Sequence, residues 1–529
     1  MSTITIASDL SDKDKTVLFW ASFLALAAAG FGFSFRVAMG VKGYGVELGL
    51  TNLQIGQIFG ATLWPIALTM IGFSLVVDRT GYKVPMYGAC VLQVLSGIGT
   101  FFANSYGSLY LFAAFAGLGH GIIEAVINPM CAAIYPKEKT KWLAILHAAW
   151  PAGLVFGTLV VIGTTGIFDG WRVHALWILL PALAYGFMVR ESVFPVDERV
   201  EAGVPYMEML KQIGFLSASL AGFMMVYEIG NQVGALTAWT PPASWFTVSL
   251  ILGVLIGAGF GFYTKSVGRP LFFLLCLLMI PIATAELGTD QWIQKLMAPV
   301  FEGGMGINPA FAIVFSASIM LIFRVFAGNI LKFFTPPSLL CLSGLFSALG
   351  LWGLSGSSGI AVLGAFTIYA LGQTYYWPCI LGFTSEQYPE GGALTLNTVS
   401  AIGLLSVGII GGQLLGVAFD KSIHSGVSKS VPAMVLAAEE DKSFLGMPHK
   451  AIIPAKKDAY LATLSASEQT RVKEEFTKVD TQAGRDVLTY AVRFPAILVL
   501  AFGAIMLYFR SKGGYKPIEL VEHAGNSSG

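Results

Sequence analysis

The chain has 529 residues, 55% of them hydrophobic and only 12% charged, with a formal net charge of +1. Soluble domains carry about 25% charged residues, and the mean hydropathy here is +0.70, which excludes an ordinary soluble globular protein. A near-neutral chain gives no reason to expect a nucleic-acid partner, and a polytopic membrane protein is expected instead.

The first residues, MSTITIASDLSDKDKT, are polar and mixed in charge, unlike the start of a signal peptide. A bilayer span needs about 20 largely apolar residues. Such runs fall near 17–40, 52–77, 84–104, 107–135, 141–166 and 172–190. A pair follows near 209–235 and 243–264. Six more lie near 270–297, 309–333, 336–356, 358–385, 394–419 and 489–511. Backbone groups in lipid must be satisfied within the segment, and the runs are continuous rather than alternating. The expectation is therefore an all-α membrane protein with about fourteen transmembrane helices.

Lys and Arg in short loops set orientation. Arg79 and Lys83, then Lys137, Lys139 and Lys141, then Lys265 and Arg269, and finally Arg510, Lys512 and Lys516 fall on one side when fourteen helices are threaded. That places both termini in the cytoplasm of a multi-pass cell-membrane protein. The loop 421–488 then lies outside. In it Ser465 precedes Glu468 by three residues, a capping-box spacing, so a small external helical cap is expected. The five cysteines all lie in apolar runs without metal or disulfide spacing and read as small core residues. No metal, cofactor or catalytic residue set is expected, so the chain does not read as an enzyme.

One acid stands out. Glu124 is the single certainly charged side chain between Tyr106 and Pro136. Burying a charge at such depth costs about 3 kcal/mol on insertion scales, and a carboxylate can escape part of that cost by taking up a proton. Glu124 is thus a candidate proton relay, with a structural acid as the alternative. His120, Glu124 and Asn128 are spaced by four and share one stripe of a helix. Pro129 interrupts the backbone ladder beside Asn128. In the next run, "LHAAWPAG", His147 lies roughly as deep as Asn128, about 10 Å from the inner end. Trp150 is nearer the level of Glu124. An amide, an imidazole, a carboxylate and an aromatic face at similar depth fit a sugar.

After the second run comes "SLVVDRTGYK", Ser74 to Lys83. Asp78, Arg79, Gly81 and Lys83 match the signature loop of the major facilitator superfamily, which this stretch resembles. Ser74 and Tyr82 depart from it. The resemblance implies a gate that opens and closes, and two six-helix halves. Those would be 1–190 and 267–529, the second including loop 421–488, with 191–266 holding two extra central spans. "GLGHGIIEAVINP", Gly117 to Pro129, resembles the fourth helix of the fucose permease family of proton–sugar symporters. In that family the acid matching Glu124 couples proton to sugar. His147 stands where the family often has Gln, and the family's acid in helix 1 is not evident, Arg36 lying near the outer end of that run instead.

In the second half, "GQTYYWPC" places Gln373 five residues before Pro378, as Glu124 stands five before Pro129. Gln373, Tyr376 and Trp377 are therefore candidate substrate contacts opposite the Glu124 stripe. Glu286 and Gln291 in "AELGTDQW" are further candidates, and Arg324 reads as a structural or gating pair. The expected function is proton-coupled monosaccharide symport by a monomer. The alternatives are a transporter of small organic anions countered by Arg36 and Arg324, or a sensor on the same fold.

Overall fold

The computed structural model describes residues 6–520 apart from 51, 169, 238, 243, 291–300, 302–305, 307, 309–310 and 445–446. The apolar runs become helices with sequence-encoded starts. α1 (Asp12–Met39) begins at Ser11, whose hydroxyl accepts from the Asp14 N–H at 3.1 Å, with two acids in the first turn. α2 (Gln54–Ser74), α3 (Lys83–Phe102), α4 (Tyr106–Ile134), α5 (Lys139–Thr164) and α6 (Arg172–Met188) follow. α4 opens on a reciprocal capping box between Ser105 and Ser108. A four-residue helix, α7 (Glu198–Glu201), precedes the central pair α8 (Tyr206–Leu236) and α9 (Trp245–Thr264).

Next come α10 (Pro270–Gly288), α11 (Phe311–Val325) and α12 (Pro336–Gly356). The run expected as one span near 358–385 is two pieces, α13 (Ala361–Gln373) and α14 (Tyr376–Gln387), meeting at Thr374–Tyr375. α15 (Pro389–Ser430) and a final long helix, Ala466–Ser511, complete the spans. Eleven described helices are long and apolar enough to cross a bilayer, and α6 and α11 are shorter apolar helices. With α13 and α14 taken together they are consistent with the fourteen apolar runs.

The expected external cap is only partly helical. α15 and the final helix both continue past bilayer length. Between them lie α16 (Pro432–Ala438), the antiparallel strands β1 (Glu439–Phe444) and β2 (Met447–Ile452), and α17 (Pro454–Ala462). Glu439 pairs with Ile452 and Phe444 with Met447, a hairpin the helical reading did not include. The final helix, α18, starts at Ser465, whose hydroxyl and Glu468 form the expected capping box. Ile423, Val427, Met434, Ile452, Leu461 and Val472 give this domain its own core.

Two features of α4 position the site. A Cβ on Gly117 would come within 2.9 Å of the Thr62 carbonyl, and one on Gly121 within 2.0 Å of the Thr69 hydroxyl. α4 therefore lies against α2 at a distance only glycine allows. Its Glu124 stripe is thereby turned into the protein, where one apolar core joins Ile123 and Ile127 to Leu275 and Met279 of α10 and Ile402 of α15.

Candidate functional site at membrane depth

The α4 stripe is bonded as a unit. Asn128 Nδ2 donates to Glu124 Oε2 at 2.6 Å, and His120 Nε2 lies 3.6 Å from Glu124 Oε1. His147 Nε2 donates to Asn128 Oδ1 at 3.0 Å, which assigns the proton to that ring nitrogen. The depth match between Asn128 and His147 is thus a direct contact. Trp150 stacks on His120, with ring centres 5.2 Å apart and planes 16° apart. Phe33 packs on the same indole at 5.4 Å.

From His147 the network crosses to α11. Arg324 Nη1 donates to the His147 carbonyl at 3.0 Å, Nε to the Thr374 carbonyl at 2.6 Å and Nη2 to Glu286 Oε1 at 2.8 Å. Arg324 and Glu286 are 1% and 3% exposed, so this is a fully buried ion pair. Its attraction offsets the desolvation of both groups only because further acceptors satisfy the guanidinium.

Proline explains where those acceptors come from. A proline has no N–H, so the carbonyl four residues earlier loses its helical partner. Pro151 frees the His147 carbonyl and Pro378 frees that of Thr374, and Arg324 binds both. Pro129 frees the Ala125 carbonyl, which accepts from Asn397 Nδ2 at 3.2 Å. The same amide donates to Ser74 Oγ at 2.7 Å, so Asn397 ties α15 to both α2 and α4.

The other candidates have other neighbours. Gln373 Nε2 donates to Met320 Sδ at 3.4 Å, turning the side chain toward α11 and not toward Glu124. Tyr376 donates to the Ser343 carbonyl of α12 at 3.4 Å. Trp377 lays its indole on Gly403 of α15, while its backbone N–H faces the Glu286 carboxyl. Gln291 lies outside the described residues. Arg324, read from sequence as a structural or gating pair, is the group that reaches across to the Glu124 side. Sequence reasoning passed over Asp290, whose carboxyl lies beside Glu286 and Gln373, and Asn397. The signal for the latter was Pro129, which announces a free carbonyl in need of a donor.

A second polar cluster surrounds the Asp78 loop. Gly81 takes φ +65°, which its missing Cβ permits. Asp78 pairs with Arg199 of α7, a partner the loop sequence does not announce. Lys83 Nζ donates to the carbonyls of Arg190 and Ser192 at 3.0 and 3.2 Å, while Arg79 is exposed. Tyr82 donates to Asp197 Oδ2 at 3.0 Å, and Lys139 Nζ lies 2.6 Å from Glu198. Burial pushes the Asp197 and Glu198 carboxyls up from their ordinary range, against the pull of Arg199 and Lys139 respectively. Nearby, Thr140 donates to Glu386, which also accepts from Tyr515 at 2.7 Å. α7 thus gathers the loop after α2, the start of α5 and the segment before α8 on one face.

Membrane-spanning helices in this number, with a tight charged loop after the second and a buried polar seam between bundles, define a solute carrier. Residues 21–412 match the Major Facilitator Superfamily, and the chain belongs to that family. It is a multi-pass membrane transporter. It is 24% identical over 283 residues to the synaptic vesicular amine transporter of Mus musculus, covering 49% of this chain and 52% of that protein. The Homo sapiens protein of that name is 23% identical over the same length and shares. The chain thus spans about half the length of these curated relatives. Among solved structures it resembles a bacterial homologue of the human lysosomal transporter Spinster (TM-score 0.57, 15% identity, 96% of this chain and 100% of that one). It also resembles the proton:xylose symporter XylE (0.56, 15%, 79% and 91%). A third is the transporter FucP in its outward conformation (0.53, 13%, 92% and 98%). At these identities the likeness is one of fold.

Proposed function

We propose that the chain is a secondary active transporter that moves a small polar solute, a monosaccharide, together with a proton by alternating access. The observation that carries this reading is the bonded row Glu124–Asn128–His147, which ends on Arg324 in the opposite bundle. A proton-carrying acid must exchange partners as the bundles rock, and Glu124 sits one side chain from the contact that joins them. Trp150 offers the flat face a sugar needs, and that face holds His120 in this conformation. A cargo that replaces His120 on Trp150 also removes it from Glu124, which links binding to the acid.

Arg324 does not favour an organic-anion cargo, because its charge is already matched by Glu286. The division into halves 1–190 and 267–529 around a central 191–266 belongs to the same reading. So do a monomer, a cell-membrane location and an Asp78 face turned to the cytoplasm, where α7 closes the inner gate.

The test is uptake into proteoliposomes under an imposed pH gradient, with a competition panel of monosaccharides, organic anions and organic amines. Glu124→Gln is expected to lose gradient-driven accumulation while keeping exchange of cargo across the membrane. Full gradient-driven uptake by that variant would sink the coupling role. Competition by amines or anions alone would sink the sugar.

A further inference from the structure

Arg36 lies in α1, 5% exposed, with a guanidinium held only by neutral groups. Nη1 donates to the Gly32 carbonyl and Nη2 to Ser96 Oγ, each at 2.9 Å. Among the described residues no carboxylate forms an ion pair with it. The other deeply buried arginines differ: Arg324 has Glu286 and Arg199 has Asp78. Buried charges are ordinarily paired, because an isolated one is costly. Arg36 is therefore a cation whose compensation the chain itself does not supply.

The guanidinium borders a cavity with about 20 Å³ of room, also lined by Gln93, His120 and Trp150. A smaller one, about 10 Å³, lies on its other side against Thr100 and His174. No acidic residue lines either. Gln93 is 1% exposed, and its Oε1 has no hydrogen-bond partner among the described residues. Its Nε2 makes only a long bond of 3.4 Å to the Ala25 carbonyl. Exchanging O and N by rotation would give up that long bond and free the NH₂ to donate to a bound anion. Two of the five guanidinium N–H groups are engaged in the bonds named above, leaving three.

We propose that the Arg36 cavity binds one monovalent inorganic anion of chloride size. Size decides the class: while His120 covers Trp150, the room suits a single water-sized group, less than a carboxylic acid or a sugar needs. Arg36 supplies the charge, and Gln93 and His120 supply donors. The site lies between helices of the first bundle, and it stands whether or not Glu124 carries a proton. His120 is shared, since it lines the cavity and lies 3.6 Å from Glu124. An anion bound there competes with Glu124 for that imidazole.

The experiment is thermal melting of the purified full chain in sodium chloride against sodium gluconate at fixed ionic strength, joined to diffraction from crystals grown in bromide. Wild type is expected to show a saturable rise in melting temperature with chloride or bromide and an anomalous peak between Arg36 and His120. Arg36→Gln is expected to lose the saturable rise. Gln93→Leu should raise the half-saturating chloride concentration about tenfold, the loss of one charge-assisted hydrogen bond. If Arg36→Gln yields no folded protein, Gln93→Leu and the bromide peak carry the test. An unchanged chloride response in either variant, or a wild type with no saturable response and no bromide at Arg36, would mean that the cavity holds water only and would overturn the proposal.

Discussion

α4 and the α13–α14 pair each carry a proline five residues after a candidate polar side chain, yet they differ in outcome. α4 runs unbroken through Pro129, whereas the second helix stops at Gln373 and restarts at Tyr376 before Pro378. The freed carbonyl of α4 meets a neutral amide, Asn397, at 3.2 Å. The freed carbonyl of Thr374 meets a charged guanidinium at 2.6 Å. A neutral donor at a distance leaves the helix intact. A charged donor that also holds Glu286 and the His147 carbonyl takes over the acceptor. The comparison teaches that a proline in a span need not mark a hinge; what it marks is an acceptor, and the donor decides what the helix becomes.

The largest expected effect is at the charged donor. Arg324→Gln leaves Glu286 buried without its counter-charge and should cost about 3–5 kcal/mol, read as a collapse of the melting temperature in detergent. The double variant Arg324→Gln with Glu286→Gln should recover most of it, since the Glu286 charge is removed together with its partner. A single variant as stable as wild type would show that the pair is not formed. Asn397→Leu is next. It abandons the Ala125 carbonyl and Ser74 and should cost about 1–3 kcal/mol, with α4 still helical by hydrogen exchange. Loss of protection around Ala125 beyond that of the whole bundle would contradict an intact α4. The smallest effect separates the prolines by sign. Pro129→Ala restores an N–H inside a continuous helix and should stabilise by about 1 kcal/mol. Pro378→Ala lies in the first turn of α14, where a missing N–H costs little, and its new N–H competes with Arg324, so no gain is expected. Equal shifts in melting temperature for the two alanine variants would erase the distinction.

Much of this was legible in the sequence, for identifiable reasons. Span length and continuity fix the helices because lipid leaves backbone groups no other partner. The 3.6-residue period put His120, Glu124 and Asn128 on one stripe, and counting depth put His147 beside them. What was not legible depended on tertiary approach. Nothing in "GQTYYWPC" says that Gln373 turns to Met320 while Arg324 reaches across to the His147 carbonyl. A backbone acceptor has no side-chain signature, and only the proline four residues later betrays it. Arg199 lies in a charged segment between spans that reads as a linker, so its pairing with Asp78 had no periodic pattern to announce it. The hairpin β1–β2 was missed because "EEDKSF" and "MPHKAI" lack the alternation of a half-buried strand.

The small domain between α15 and α18 sits on two helices that continue past bilayer length. α15 is 42 residues long and α18 is 46, more than the roughly 20 a bilayer needs, so each runs on from an apolar span into the folded cap. Each helix also carries a soft point: α15 passes through a π-helical segment at Val407–Gly411, and α18 breaks at Val492 just before Pro495. A rotation of the second bundle reaches the cap through those two points, and displacement grows with distance from the pivot. The domain is consequently a natural indicator needle. A fluorophore or spin label placed on α17, remote from every transported molecule, would report the tilt of the spans beneath it in real time. An antibody fragment seated there would slow the cycle without touching the transport path.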